Sequence, residues 1–314
     1  MPSKKYTAQK REEMKASNQK QDQSNILKPF LIMIVVLVVI VAIVFAGLYL
    51  LENNSNTETE TNNIPILKAD YAVFKLNSNS NSIDVLSNDE DEDGDILNIT
   101  EVGTPSNGIA EIVRNKIIYT PNTDFTGAET FTYTVSDGEK ESTSTVNVIV
   151  ADKYPIALMD TTKGMIVLEL YNDKVVNTSE NFIKLANSGF YEGLVFHRVI
   201  DNFMIQGGAF NPDGTQKESP YGTIDLEISS EVRHVDGAIS MARTNDPNSA
   251  TSQFFICDGA QSYLDDNYAV FGVVVSGMDV VRAIASVDTG TKYNMEDWPI
   301  EDVIINSITI ENYE

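Results

Sequence analysis

Residues 30–51, FLIMIVVLVVIVAIVFAGLYLL, are 22 consecutive uncharged and almost wholly apolar residues. Coiled at a rise of about 1.5 Å per residue, they match a hydrocarbon layer roughly 30 Å thick, so they predict a transmembrane helix over 29–51. A cleaved leader has an apolar core of about 7–15 residues that ends in small residues. This run is longer, ends in GLYLLENN, and is followed by no cysteine that could carry a lipid. The flanks set the direction. Residues 1–28 carry seven Lys/Arg against three Asp/Glu, whereas residues 52–153 carry six against nineteen. The basic flank stays in the cytoplasm. The expectation is a single-pass cell-membrane protein with a cytoplasmic N-terminus and its C-terminal domains outside.

Around that helix, residues 1–28 read as a disordered cytoplasmic tail and residues 52–63, ENNSNTETETNN, as a polar linker. The remaining body is acidic: residues 154–314 hold nine Lys/Arg against 24 Asp/Glu, and the whole chain has a formal charge of −24. Such a surface repels phosphates and excludes a nucleic-acid partner. Cys257 is the single cysteine, so no internal disulfide forms, and with only His197 and His234 a Cys/His zinc site is not expected.

From 64 to 151 the signal is β. TFTYTVS (130–136) alternates Phe131, Tyr133 and Val135 with threonines, and STVNVIV (144–150) sets Val146, Val148 and Val150 on one face. About seven short strands separated by SND, EDGD, TPSNG and SDG turns predict a small sandwich. DVLSNDEDEDGDILNIT (84–100) and IIYTPNTDFTGAETFTYTVSDG (117–138) resemble bacterial cadherin-like, immunoglobulin-like surface domains. That resemblance implies an extracellular spacer or adhesion unit, often with calcium. Independently, Asp89, Asp91, Asp93 and Asp95 at alternate positions around Gly94 can converge oxygen ligands on a hard cation such as structural calcium. An EF-hand is rejected, because its twelfth position is Thr100 and no helices flank it. A solvated acidic turn is the other reading.

A different pattern begins at Tyr154. TKGMIVLELY sets Ile166, Leu168 and Leu170 on one strand face. NTSENFIKLANSGF reads as a helix with Thr178 or Ser179 as N-cap and Gly189 as stop, and GMDVVRAIASV (277–287) as a second helix with Met278, Val281, Ile284 and Ala285 inward. Strands are expected at 194–199, 203–207, 238–242, 253–257, 270–275 and 303–310. Together these predict a closed barrel capped by helices. FHRVIDNFMIQGG (196–208), SMARTNDPNSATSQFFIC (240–257) and YLDDNYAVFG (263–272), preceded by ENFIKLANSGFYEG (180–193), resemble the cyclophilins in composition and order over essentially all of 154–314. The resemblance implies a peptidyl-prolyl cis-trans isomerase on an eight-stranded antiparallel barrel with two helices.

Rotating an Xaa-Pro bond breaks amide resonance against a barrier of about 20 kcal/mol. No bond is cleaved, so catalysis calls for no nucleophile, metal or cofactor. It calls for a pocket that holds the proline ring and a donor for the lone pair that the prolyl nitrogen regains as the amide twists. A guanidinium is a fixed donor. By the resemblance Arg198 is that donor, Gln206 binds the substrate backbone, and Phe203, Met204, Phe255 and Leu264 form the proline pocket. Ala242 and Gln253 line the groove. Tyr263 and Tyr268 stand where many eukaryotic members carry Trp and His, and Arg243 replaces an Asn. These departures suit prokaryotic-type members, put strong cyclosporin binding in doubt, and add a positive charge that would favour acidic residues beside the proline. Read singly, Arg198 would be a rim ion pair and the aromatics would be core. His197 falls on the opposite strand face as a structural residue. The leading reading is a membrane-anchored isomerase that assists exported or surface proteins. The alternative is a surface binding or adhesion protein that grips proline peptides without turnover. A hydrolase is disfavoured, because neither histidine lies in a recognisable nucleophile–base arrangement.

Overall fold

The computed structural model describes residues 12–15, 33, 37, 39–46 and 62–311. The chain divides into two compact units, Met1–Thr61 and Asn62–Glu314. The described residues of the first unit are helical, and among the described residues no helix is long and apolar enough to cross a membrane. The expected tail (1–28), transmembrane helix (29–51) and linker (52–63) lie largely outside the described residues.

The second unit opens with seven strands: β1 (Asp70–Lys75), β2 (Asn81–Ile83), β3 (Asn98–Val102), β4 (Gly108–Val113), β5 (Lys116–Pro121), β6 (Gly127–Ser136) and β7 (Glu141–Ala151). They form a four-stranded sheet, β1-β7-β6-β3, and a three-stranded sheet, β2-β5-β4. Only β1 and β7 pair in parallel. The alternation in the sequence has its consequence here: Phe131, Tyr133, Val135, Val146, Val148 and Val150 share one buried core with Ile117 and Tyr119. The other face of the β7 end is apolar too. Ile149 and Ala151 pack with Ile156 and Val167 of the next strands, so the two folds meet across an apolar seam.

After that seam come β8 (Ile156–Thr161), β9 (Gly164–Leu170), helix α1 (Val176–Asn187), β10 (Arg198–Ile200), β11 (Met204–Gly207), β12 (Ala238–Met241), β13 (Phe254–Cys257), β14 (Val270–Ser276), helix α2 (Met278–Ala285), a hairpin of β15 (Thr289–Lys292) and β16 (Met295–Pro299), and β17 (Ile305–Glu311). Eight of these strands form one antiparallel sheet in the order β10-β11-β13-β12-β14-β9-β8-β17. Its two ends are joined by backbone bonds from Phe196 N to Val303 O (3.0 Å) and from Ile305 N to Leu194 O (2.8 Å). Leu168, Phe182, Phe196, Ile205, Phe254, Phe271 and Ile284 fill the inside.

Several local expectations are corrected. The strand expected at 194–199 is shorter and later, beginning at Arg198, because residues 194–196 are occupied in joining the sheet ends. Helix α1 starts at Val176, so neither Thr178 nor Ser179 is its N-cap; both are buried within it. Its first amides are capped instead from a distant loop. Glu227 accepts hydrogen bonds from Thr178 N (2.6 Å), Thr178 Oγ1 (2.7 Å) and Asn177 N (3.2 Å), and its charge complements the helix dipole. Gly189 stops the helix as expected, at φ +68° with its N–H on Ala186 O.

Candidate active site

The site follows from strand alternation. On β11, Ile205 points into the barrel core, while Met204 belongs to a second apolar cluster on the outer face with Phe255, Cys257, Val270 and the partly buried Phe203, Ala242, Leu264 and Tyr268. Register brings the polar residues alongside: Gln206 pairs with Arg198 across β10–β11 and with Phe255 across β11–β13. Arg198, Phe203, Met204, Gln206, Ala242, Phe255, Leu264 and Tyr268 thereby surround one cavity of about 160 Å³, together with Arg243. The Gly-Gly pair after Gln206 has a steric reason. A side chain at Gly208, which has φ +88°, would place its Cβ 2.7 Å from Ser252 O.

Two expected groove residues fall outside the cavity wall. Gln253 accepts a hydrogen bond from Gln206 Nε2 at 2.9 Å, so it orients that amide from behind. Tyr263 is 67% exposed and stacks on Phe203, ring centroids 6.2 Å apart. Phe255 is clamped between Tyr268, edge-on at 5.7 Å, and the ring of His234, parallel at 5.9 Å.

Arg198 sits at the rim with its guanidinium carbon 5.9 Å from the Phe203 ring centre. Its Nε lies 3.6 Å from Asp297 Oδ2, with side chains 43% and 37% exposed. A pair so open to water holds geometry and adds only about 0–1 kcal/mol of stability. Among the described residues nothing accepts a hydrogen bond from this guanidinium. Asp297 went unread in the sequence because the β15–β16 hairpin that carries it turns through Tyr293 and Asn294, both at positive φ, without the glycine that usually marks such a turn. Trp298, fully buried beside Asp297, fixes the hairpin through its indole N–H on Asp302 (2.9 Å).

The histidines have definite places. His197 is buried against Phe210 and Trp298, behind Gln206. Burial, with a smaller contribution from the nearby Arg198 charge, pulls its pKa down to about 4. His234, contrary to expectation, does lie in a serine–histidine–aspartate chain: Nδ1 is 2.8 Å from Asp265 Oδ1 and Nε2 3.2 Å from Ser240 Oγ. Ser240 is completely buried on β12, so its oxygen is closed to any substrate, and the chain acts as backing for Phe255. Cys257 is equally inert, its thiol pushed up to about 12 by burial and by Asp236 and Asp265.

In the sandwich the four aspartates separate. Asp91, Asp93 and Asp95 each offer an oxygen within 4.8 Å of the others. Asp89 serves the core instead, accepting from Lys68 N (2.9 Å) and Tyr133 Oη (3.0 Å). The trio's all-oxygen donor set suits a hard cation. Asp91 Oδ1 holds the turn through Asp93 N and Asp95 N, while its buried Oδ2 has no hydrogen-bond partner.

Known proteins match both folds. Residues 156–310 match the family model for cyclophilin type peptidyl-prolyl cis-trans isomerases, and residues 62–149 match the bacterial Ig domain. A peptidyl-prolyl cis-trans isomerase of Streptomyces antibioticus is 44% identical over 160 residues, which is 48% of this chain and 96% of that protein. The chain belongs to the cyclophilin-type peptidyl-prolyl cis-trans isomerases. Similar enzymes of Acinetobacter baylyi (43% identical over 159 residues, 49% of this chain and 84% of that protein) and Escherichia coli (peptidyl-prolyl cis-trans isomerase B, 41% over 158 residues, 48% and 96%) cover the same half. The cyclophilin domain isomerises Xaa-Pro bonds in peptides and, like its family, needs no cofactor.

The state of His197 can be read from stability. Its folded pKa lies below the ordinary 6.5, so the unfolded chain binds more protons between pH 6.5 and 4, and stability falls as pH drops through that window. Urea denaturation of wild type should therefore lose up to about 3 kcal/mol more between pH 7 and 4 than His197→Gln does. Parallel pH profiles for the two proteins would show that the imidazole is not held neutral.

Proposed function

We propose that this chain is a membrane-anchored isomerase acting on exported or surface polypeptides, with Arg198 stabilising the twisted amide. The observation that carries the catalytic part is the placing of Arg198: its guanidinium stands over the aromatic wall of the cavity with Nε toward Asp297 and its other donors uncommitted among the described residues. A proline ring seated against Phe203, Met204, Phe255 and Leu264 brings its nitrogen to that rim. As the amide twists, the nitrogen lone pair localises and accepts a guanidinium N–H, an interaction absent in either planar form. Gln206, held by Gln253, is left to bind the substrate backbone. Its amide is a neutral donor and acceptor, so it orients without titrating.

Loss of such a donor costs other enzymes roughly 100- to 1000-fold in rate. Arg198→Ala should approach that loss in kcat with a much smaller change in KM, and Arg198→Lys should restore little, since an ammonium lacks the planar fork. A folded Arg198→Ala protein that turns over at near wild-type rate would return Arg198 to the role of a rim ion pair.

Anchoring is supported by the 22-residue apolar run and by the basic-to-acidic change across it. Protease added outside intact cells should remove the Ig and cyclophilin domains and spare a small embedded N-terminal fragment; recovery of a soluble form that starts near residue 50 would refute the anchor.

Structural calcium in the sandwich is supported by the Asp91, Asp93, Asp95 trio and by the buried Asp91 Oδ2, which has no hydrogen-bond partner. Chelation should lower the melting temperature of this domain, because a ligand bound only by the native state stabilises it. Identical melting curves in millimolar calcium and in chelator would leave the loop a solvated acidic turn.

A further inference from the structure

Two arginines face the groove, and their surroundings differ in charge. Arg198 has Asp297 within 3.6 Å. Arg243 has no carboxylate within ion-pair distance among the described residues. Its guanidinium is held by neutral acceptors: Nε and Nη2 donate to Asn267 O at 3.0 and 2.8 Å, and Nη1 donates to Thr244 O at 2.8 Å. It lies over the Tyr268 ring, 4.8 Å from the ring centre. Three of its five N–H donors are thus used to fix it against the groove wall, and two remain.

The carboxylates of its own loop and of the segment beside Asn267 have other partners. Asp265 bonds His234, and Asp265 and Asp266 both lie within ion-pair distance of Arg233, at 3.8 and 3.4 Å. Asp246, three residues along the same loop, accepts the Asn248 amide. In a chain of net charge −24, one rigid and unpaired cation at the cavity edge is a local reversal of sign. Backbone carbonyls fix its position without cancelling its charge, so the attraction is kept for whatever enters the groove.

Building on the isomerase reading above, we infer that Arg243 is a specificity residue that selects Xaa-Pro segments with an acidic side chain flanking the proline. The carboxylate takes the two remaining donors while the proline ring occupies the apolar part of the same cavity. The residue acts on binding and leaves the rotation itself to the neighbouring groups.

The test is a kcat/KM series for the full-length chain on Ala-Xaa-Pro-Phe and Ala-Ala-Pro-Xaa tetrapeptides, with Xaa as Glu, Ala or Lys. In at least one set Glu should exceed Lys by roughly three- to tenfold, the size expected when an exposed ion pair replaces a like-charge contact. The ratio should shrink in 1 M NaCl, where screening reaches about 3 Å. Arg243→Gln should bring the Glu/Lys ratio close to one, and Arg243→Lys should keep most of it. Equal kcat/KM across both sets, or a preference that persists in Arg243→Gln, would overturn the inference and leave the isomerase reading intact. Failure to turn over any of the six peptides would instead strike at the isomerase reading itself.

Discussion

The two-residue alternation of the strands governs everything else in the cyclophilin domain. On β11 and β13, Ile205, Phe254 and Ile256 fill the barrel, so Met204, Gln206, Phe255 and Cys257 have to face outward. The outward set cannot be buried by the same core, and the sheet therefore carries a second, shallower apolar cluster whose open edge is the groove. A one-residue slip of β11 would exchange Ile205 with Gln206, placing an amide among Phe196, Phe254 and Phe271 and removing the groove wall at the same time. Stability and function thus depend on one register, which the large aromatic core enforces.

That same geometry explains how a permanent charge is tolerated in an apolar run. Arg198 begins β10 at the edge of the sheet, where its side chain stays 43% exposed and avoids the desolvation cost of a buried cation. Asp297 reaches it from the β15–β16 hairpin, and buried Trp298 sets the position of that hairpin. His197, one residue earlier, faces the other way and is kept neutral by burial, so it adds no second positive charge behind the arginine.

Much of this was legible in the sequence, where the information is local. Alternation in 130–136 and 144–150 marks the sandwich core, and Phe182, Leu185 and Ala186 mark the inner face of α1. Order and spacing of the FHRVIDNFMIQGG, SMARTNDPNSATSQFFIC and YLDDNYAVFG segments bring the groove residues into view. What stayed hidden depends on distant partners. Glu227 caps α1 from about fifty residues away, so no nearby capping residue was needed. Asp89 leaves the acidic loop because Tyr133, 44 residues later, gives it a buried donor. The Ser240–His234–Asp265 chain joins residues that meet only because the loop before β12 and the segment after β13 fold against each other, as the Gln261 N to His234 O bond shows.

The most direct test is exchange NMR of an Ala-Pro peptide with a substoichiometric amount of the protein, read together with the protein's own shifts. Cross-peaks between cis and trans peptide should appear within a mixing time far shorter than the uncatalysed ~10–100 s. Peptide-induced shifts should centre on Arg198, Phe203, Met204, Gln206 and Phe255, on the outer face of the sheet. Absence of exchange cross-peaks, or shifts that centre on residues away from that groove, would contradict the account.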